Sequence, residues 1–260
     1  DTIKYGTREL VDLNADVTYR KISFNPVTHS FSIESGYENY PVAFVCWYGA
    51  IMFCNWLTEM IDGNLKNVVY SGIPADGSIW QHASTVENAN KKGFRLPSKE
   101  EWECAARWVG KSAGGRTDLV SQNVSGGSSS LTKGYFWTPG NYASGATTYY
   151  DDVTDAPNYK GKLANDLVAV YKEYYDGSSW IDNGTSNCAE AGSRCSNALG
   201  IYDMSGNMWE WCFTAFDSAN FYTLSGSWHA SAVSLQVGFV SMGPPDHESI
   251  SVGFRFLRTE

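Results

Sequence analysis

Residues 111–200 show little sustained apolar periodicity of either the helix or the strand kind and are rich in Gly, Ser, Asn, Asp and Tyr. So long a stretch without regular structure is uncommon inside a compact domain. It fits one only if the flanking sequence supplies a core and ions, aromatic side chains or a disulfide pin the loops. The chain has the material for such a core: 260 residues, 43% hydrophobic, with 10 Trp, 16 Tyr and 12 Phe. That is enough apolar surface for a sizeable interior, and it argues against disorder.

The regular elements lie on either side. Residues 1–40 alternate polar and apolar (Val17 to Phe24, then Phe31 to Ile33), with turn signals at Asn25-Pro26 and Ser35-Gly36. This is strand periodicity. Pro41 opens a helical pattern in which Trp47, Ala50, Ile51, Cys54 and Leu57 share a face, and Asp62-Gly63 ends it. Ser98 and Glu101 form a capping box for a second helix, with Trp102, Ala105, Ala106 and Val109 as its buried face, running to about Gly110. Short strands are expected at Ile201–Tyr202, Trp209–Phe213, Val237–Val240 and Val252–Leu257. No internal repeat or linker interrupts the chain, so one domain over residues 1–260 is expected.

Charge and composition exclude several functions. The net charge is −9 and the pI about 4.9, without a Lys/Arg run, which disfavours a nucleic-acid partner. The longest apolar-rich segment, Val42 to Ile61, contains Asn55, Thr58 and Glu59 and falls short of a membrane span. No signal-peptide pattern opens the chain at Asp1; a mature end left by a removed export signal is compatible with this. Of six cysteines, Cys46, Cys54, Cys104 and Cys212 read as small core residues. Cys188 and Cys195 bracket a short polar loop, and a disulfide between them would add roughly 2–3 kcal/mol in the chain-entropy model. No CxxC spacing suggests a metal or redox centre.

Four segments in register carry a family resemblance. They are Pro41 to Leu57, Phe94 to Arg107 (with Arg-Leu-Pro-Ser-x-x-Glu-Trp), Asn197 to Trp211 (with Gly-Asn-Met-Trp-Glu-Trp), and Gly226-Ser-Trp228 with Val252-Gly-Phe-Arg255. Together they resemble the formylglycine-generating-enzyme (sulfatase-modifying factor) family over about residues 40–258. The resemblance implies an α+β, C-type-lectin-like fold with two helices, small twisted antiparallel sheets and long irregular loops.

The third segment has its own chemistry. The Asp203 side chain, the Gly206 and Met208 carbonyls and the Glu210 side chain form a set of hard oxygen donors of the kind calcium prefers. The resemblance places a structural calcium there, with Asp203 standing where the enzymes usually have Asn. The plainer alternative is a turn residue and a core-edge carboxylate. A second calcium in the family uses an Asn and the following carbonyl, matched by Asn141 and Tyr142. Its distal carboxylate falls in an insertion around residues 151–185, with Asp182 as the candidate.

The family's oxidases hold copper on two cysteines, because thiolates select Cu(I). The matching positions here are Ala230 and Leu235, so neither copper nor the oxidase chemistry is expected. A second branch of the family uses a His-ligated iron. The histidines His29, His82, His229 and His247 have no i,i+4 spacing for such a site. Pro244-Pro245-Asp246 only approaches an ordinary lectin sugar motif, and no nucleophile elbow is present.

The C-terminal segment 216–251 alternates family-like residues with unrelated ones. It resembles the variable proteins of diversity-generating retroelements, of the spirochaete surface type, which carry a hypervariable patch on this same fold. The resemblance implies a recognition surface drawn from Asp217, Ser218, Asn220, Phe221, Tyr222, Trp228, His229, Ser231, Val233, Ser234, Phe239, Ser241, Asp246, His247 and Ser249. Aromatic anchors among adaptable polar groups make a paratope-like mixture. Trp228, Phe239 and Tyr222 also read as packing residues. The expected partner is a protein or glycan ligand, and the expected location the cell surface or extracellular space, with a lipid anchor on a removed N-terminal segment as one route.

Overall fold

The structure is a computed structural model that describes residues 3–16, 18–19, 21–25, 27–28, 30–78, 80, 90–120, 135–149 and 160–259. Val17, Arg20, Pro26, His29 and His82, used in the sequence reading, lie outside them. Strands β1 (Ile3–Tyr5) and β2 (Arg8–Val11) form a hairpin, as do β3 (Ile22–Asn25) and β4 (Ser30–Ile33). Helix α1 (Trp47–Asp62) follows, then β5 (Phe94–Arg95), α2 (Lys99–Arg107), β6 (Trp108–Gly110) and β7 (Phe136–Trp137). Next come α3 (Lys160–Val168) and the β8 (Glu173–Tyr175) and β9 (Trp180–Asp182) hairpin. The C-terminal part holds β10 (Trp209–Ala215), β11 (Phe221–Leu224), a 3-10 turn at Ala232–Leu235, β12 (Ser241–Gly243), β13 (Val252–Gly253) and β14 (Leu257–Arg258). This is the expected α+β, C-type-lectin-like arrangement of small sheets and long loops.

Both expected helices form, with edges set by local chemistry. Cys46 caps α1, its sulfur accepting from the Gly49 amide, and Gly63 closes the helix in the left-handed region at φ 67°. The helix starts later than the pattern from Pro41 suggests, because residues 41–45 run irregularly against β2 and the C-terminal loops: Phe44 N–H donates to the Ser249 carbonyl and Trp47 N–H to that of Pro245. The Ser98–Glu101 capping box starts α2. That helix ends at Arg107, because residues 108–110 leave it to pair as β6 with β7.

The central sheet has the order β12-β11-β10-β13. It is antiparallel except for β10 and β13, which pair in parallel, a departure from the all-antiparallel expectation. Alternation along β10 divides the interior. Trp211 and Phe213 face one cluster with Trp47 and Ile51 of α1, while Cys212 joins Trp102 and Ala106 of α2, Met204 and Leu224. The sheet therefore lies between α1 and α2. A further buried cluster joins α3 (Ala164, Val168) to the 3-10 turn (Ala232, Leu235). Ile201–Tyr202 and Val237–Val240 are not strands, and the fourth expected strand survives only at its ends as β13 and β14. The third helix was not expected.

Candidate functional site

The 216–251 segment is built on β11 and β12. Its first loop is closed by Asp217, whose carboxylate accepts from the amides of Ala219 (2.7 Å) and Asn220 (2.9 Å). These backbone bonds, with the Asn220 amide side chain, hold the Asp217 carboxyl below its ordinary pKa, against a small opposing effect of burial. In β11 successive side chains turn to opposite faces. Phe221 enters the α1 cluster and stacks on Trp47 with centroids 3.9 Å apart. Tyr222 packs at the edge of the α2 cluster, 5.1 Å from the Phe216 ring and with Lys99 Nζ 5.8 Å from its own ring centroid. Tyr222 pairs across the ladder with Met242, and Thr223 with Ser241.

The fifteen expected recognition positions thus divide. Asp217, Ser218, His229, Phe239, Asp246 and His247 are exposed; Asn220, Tyr222, Ser231, Val233, Ser234, Ser241 and Ser249 are half-buried. Phe221 and Trp228 must be withdrawn from a recognition surface, being 8% and 2% exposed. The reason is packing: Phe221 fills the space over Trp47, and Trp228 stacks on Tyr19 at 5.5 Å and donates from its indole to the Ile250 carbonyl. Asp246, though exposed, is committed to an ion pair with the buried Arg8 at 2.5 Å. In their place the structure exposes Phe216, Val240 and Met242. Met242 lies on β12, the edge strand of the central sheet, opposite Tyr222.

Ala230 and Leu235, the positions that the resemblance sets against the copper cysteines, lie around the 3-10 turn. Leu235 is 1% exposed and packs with Ala143, Ala164, Val168 and Tyr171. The Ala230 carbonyl accepts from the Lys172 amide at 2.8 Å, and Ser231 bridges to Glu173 of β8. Helix α3 and the β8–β9 hairpin therefore lie against this turn. No cysteine follows Cys212 in the chain, so residues 230 and 235 offer no thiolate to a copper ion. Among the described residues, no group of three or more His, Cys, Asp or Glu is placed to hold a metal.

The Asp203–Glu210 segment bends sharply. Asp203, Gly206 and Asn207 take positive φ values of 55°, 76° and 63°. Gly206 is required on two counts, since a Cβ there would also lie 2.4 Å from the Val170 carbonyl oxygen. Several of the donor oxygens, however, already have partners. Arg255 Nε donates to Glu210 Oε2 (2.5 Å) and Nη2 to Oε1 (2.6 Å), and Trp102 Nε1 also donates to Oε2 (2.7 Å). Ser225 Oγ donates to the Gly206 carbonyl at 3.1 Å, and Gly192 N–H to Asp203 Oδ2 at 2.8 Å. Met208 is buried. A groove of about 800 Å³ opens over this pair, walled by Tyr40, Tyr202 and Phe254.

The residues of the second proposed oxygen set have other engagements. Asn141 is exposed, while Tyr142 is buried and uses its carbonyl to accept from the Val237 amide. Asp182 is paired with Lys172 instead. The expected Cys188–Cys195 disulfide is absent: both thiols are free, Cys188 buried and Cys195 exposed. Cys188 faces the cluster of Ala43, Val170, Met208 and Trp228, and this burial pushes its pKa up to about 11. The loop between the two cysteines is tied down by other bonds, from the Ala191 amide to the Asn39 carbonyl (2.9 Å) and from Asn39 Nδ2 to Glu190 (2.8 Å).

Among solved structures, Treponema denticola variable protein 1 matches with a TM-score of 0.53 and 24% identity, covering 84% of this chain and 70% of that one. CarF matches with a TM-score of 0.49 and 24% identity, covering 86% and 69%. The likeness to the Treponema protein concerns the fold alone. The chaperone protein LppX of Paenibacillus barcinonensis is 31% identical over 188 residues, which are 68% of this chain. The chain spans about half (52%) of the length of that curated relative. Residues 17–260 match the sulfatase-modifying factor enzyme 1-like domain, and with the fold, the capped α2 and the Gly-Asn-Met-Trp-Glu-Trp turn in place, the chain belongs to that family.

Proposed function

We propose that this chain is a non-catalytic ligand-binding protein of its family, displaying the 216–251 loops from a rigid scaffold at a cell surface or outside the cell. The observation that carries the reading is the division within that segment. Phe221, Leu224, Ser227, Trp228 and Leu235 are buried and fix the backbone, while Asp217, Ser218, His229, Phe239 and His247 project from it. Exposed positions on a backbone held elsewhere accept different side chains at little cost, commonly within about 0.5 kcal/mol. Phe216, Phe239, Tyr222 and Met242 supply apolar contact area beside adaptable polar groups. The partner is a protein or a glycan, and retroelement-driven variation would replace these side chains without disturbing the packed set.

Catalysis of the family's oxidase type is disfavoured by the same geometry. Position 235 carries a leucine inside an apolar cluster, and position 230 a methyl group. The test has two arms. The protein is titrated with copper and offered a cysteine-containing peptide; turnover would sink the binding reading. In parallel, Ser218, His229, Phe239 and His247 are randomised together and the library is scored for folding and for selected binders. Folded variants with altered ligand choice are expected, whereas general loss of folding would show that these side chains serve the scaffold. An adenine-rich near-copy of the codons for 216–251 beside a reverse-transcriptase gene would identify the diversifying element.

A further inference from the structure

We infer that Arg255 is the resident cation of the Asp203–Glu210 turn, taking the place of the divalent metal that the family's oxygen set would hold, so that the fold of this chain is independent of calcium. A hard cation needs several oxygens with free lone pairs converging on one point. Here they converge on a guanidinium. Arg255 Nη2 reaches Glu210 Oε1 (2.6 Å) and the carbonyls of Asp203 (3.1 Å) and Tyr202 (3.2 Å), while Nε reaches Glu210 Oε2 (2.5 Å). Trp102 takes a further site on Glu210, and Ser225 one on the Gly206 carbonyl.

The remaining carboxylate oxygen, Asp203 Oδ1, has no hydrogen-bond partner among the described residues and is shielded from solvent. A calcium ion placed among these oxygens would sit against the guanidinium, and like charges at that distance repel strongly in a part-buried site. A guanidinium suits this role because its fork donates in two parallel bonds to a carboxylate and cannot lose its charge. The substitution also has a structural consequence. A metal ties the turn to itself, whereas Arg255 ties it to the residues beside β13, so the turn and the C-terminal strand are locked together.

The experiment is thermal melting of the intact protein with added calcium chloride and, separately, with a tight chelator after metal removal, accompanied by calorimetric titration with calcium. The expected result is one Tm under all conditions and no binding heat. A Tm that falls on chelation, or a stoichiometric calcium isotherm, overturns the inference. In Arg255→Met the cation is removed and the oxygens are freed. This variant should melt lower than the parent, and calcium should raise its Tm by mass action although it does not raise the parent's. A folded Arg255→Met protein that ignores calcium would show that the oxygens never formed a cation site, and would equally overturn the replacement. The wild-type arm decides the matter alone if the variant does not fold.

Discussion

The Phe221 ring lies on the Trp47 indole with centroids 3.9 Å apart and planes 23° from parallel, so the first turn of α1 and the start of β11 meet face to face. Trp47 is fully buried and also donates from its indole N–H to the Cys212 carbonyl at 2.9 Å. The contact thus fixes both the strand and the loop that leads into it. Truncation by Phe221→Ala should cost about 3–5 kcal/mol, as expected for emptying an aromatic site in a core. Urea unfolding with an unchanged m-value checks it. A loss below about 0.5 kcal/mol would mean that Phe221 is a surface residue after all.

Asp246 and His247 are neighbours, both exposed, and should behave differently. The Arg8 guanidinium is buried, lies 3.4 Å from the Tyr48 ring centroid, and relies on Asp246 as its carboxylate partner, with the Ser78 carbonyl accepting from Nη2. Removing Asp246 leaves a buried charge under-compensated, whereas among the described residues His247 makes only a backbone bond to the Pro244 carbonyl. Asp246→Ala should therefore cost on the order of 1 kcal/mol or more, even with solvent screening of the exposed carboxylate. His247→Ala should stay within about 0.5 kcal/mol. Equal effects in denaturant titrations would remove the distinction between scaffold and display positions.

Much of this division could not be read from sequence, and the reasons are local. The Ser98–Glu101 box and Gly63 were legible because caps are encoded within a few residues. The motif segments were legible as a family signature. Helix α3 was not, since Gly161, Asn165 and Asp166 are poor helix formers and its buried face meets a 3-10 turn some seventy residues on. Ile201 failed to form a strand because Asn197 captures the backbone: its Oδ1 accepts from the Leu199 and Ile201 amides. Val237 and Gly238 likewise bond to the loop carbonyls of Tyr142 and Gly140 rather than to a strand. Glu210 looked like a metal ligand because its partner, Arg255, lies 45 residues away.

Stability should depend on pH through Glu248. Burial first, then the nearby Glu9, Asp12 and Asp246 carboxylates, push its pKa from 4.5 up to about 7, and Oε1 is shielded without a hydrogen-bond partner among the described residues. The native state then holds this proton more tightly than the unfolded state does. The contribution is fully present below about pH 4.5 and is lost as pH rises through about 7. Glu248→Gln imitates the protonated form. It should remove this part of the pH dependence and exceed the parent in Tm above pH 7, with the gap closing toward pH 4.5. A parent-to-variant difference that stays constant with pH would show that Glu248 does not titrate between these limits.

Leu235 bears most directly on the proposal that this chain is not an oxidase. An oxidising thiol must be reached by its substrate, yet this position is 1% exposed and enclosed by Ala232, Tyr171, Val168 and Ala143, with its carbonyl accepting from Ser205 Oγ at 2.7 Å. Leu235→Ala should therefore cost about 2–5 kcal/mol, the range for deleting a buried leucine. Leu235→Cys should place a thiol that a maleimide reagent labels only after unfolding, while the exposed native Cys195 labels at once. Mass spectrometry of the labelled peptides distinguishes the two. Rapid native labelling at position 235 would mean that the turn is open to reagents, and would sink the reading of Leu235 as a packed scaffold residue.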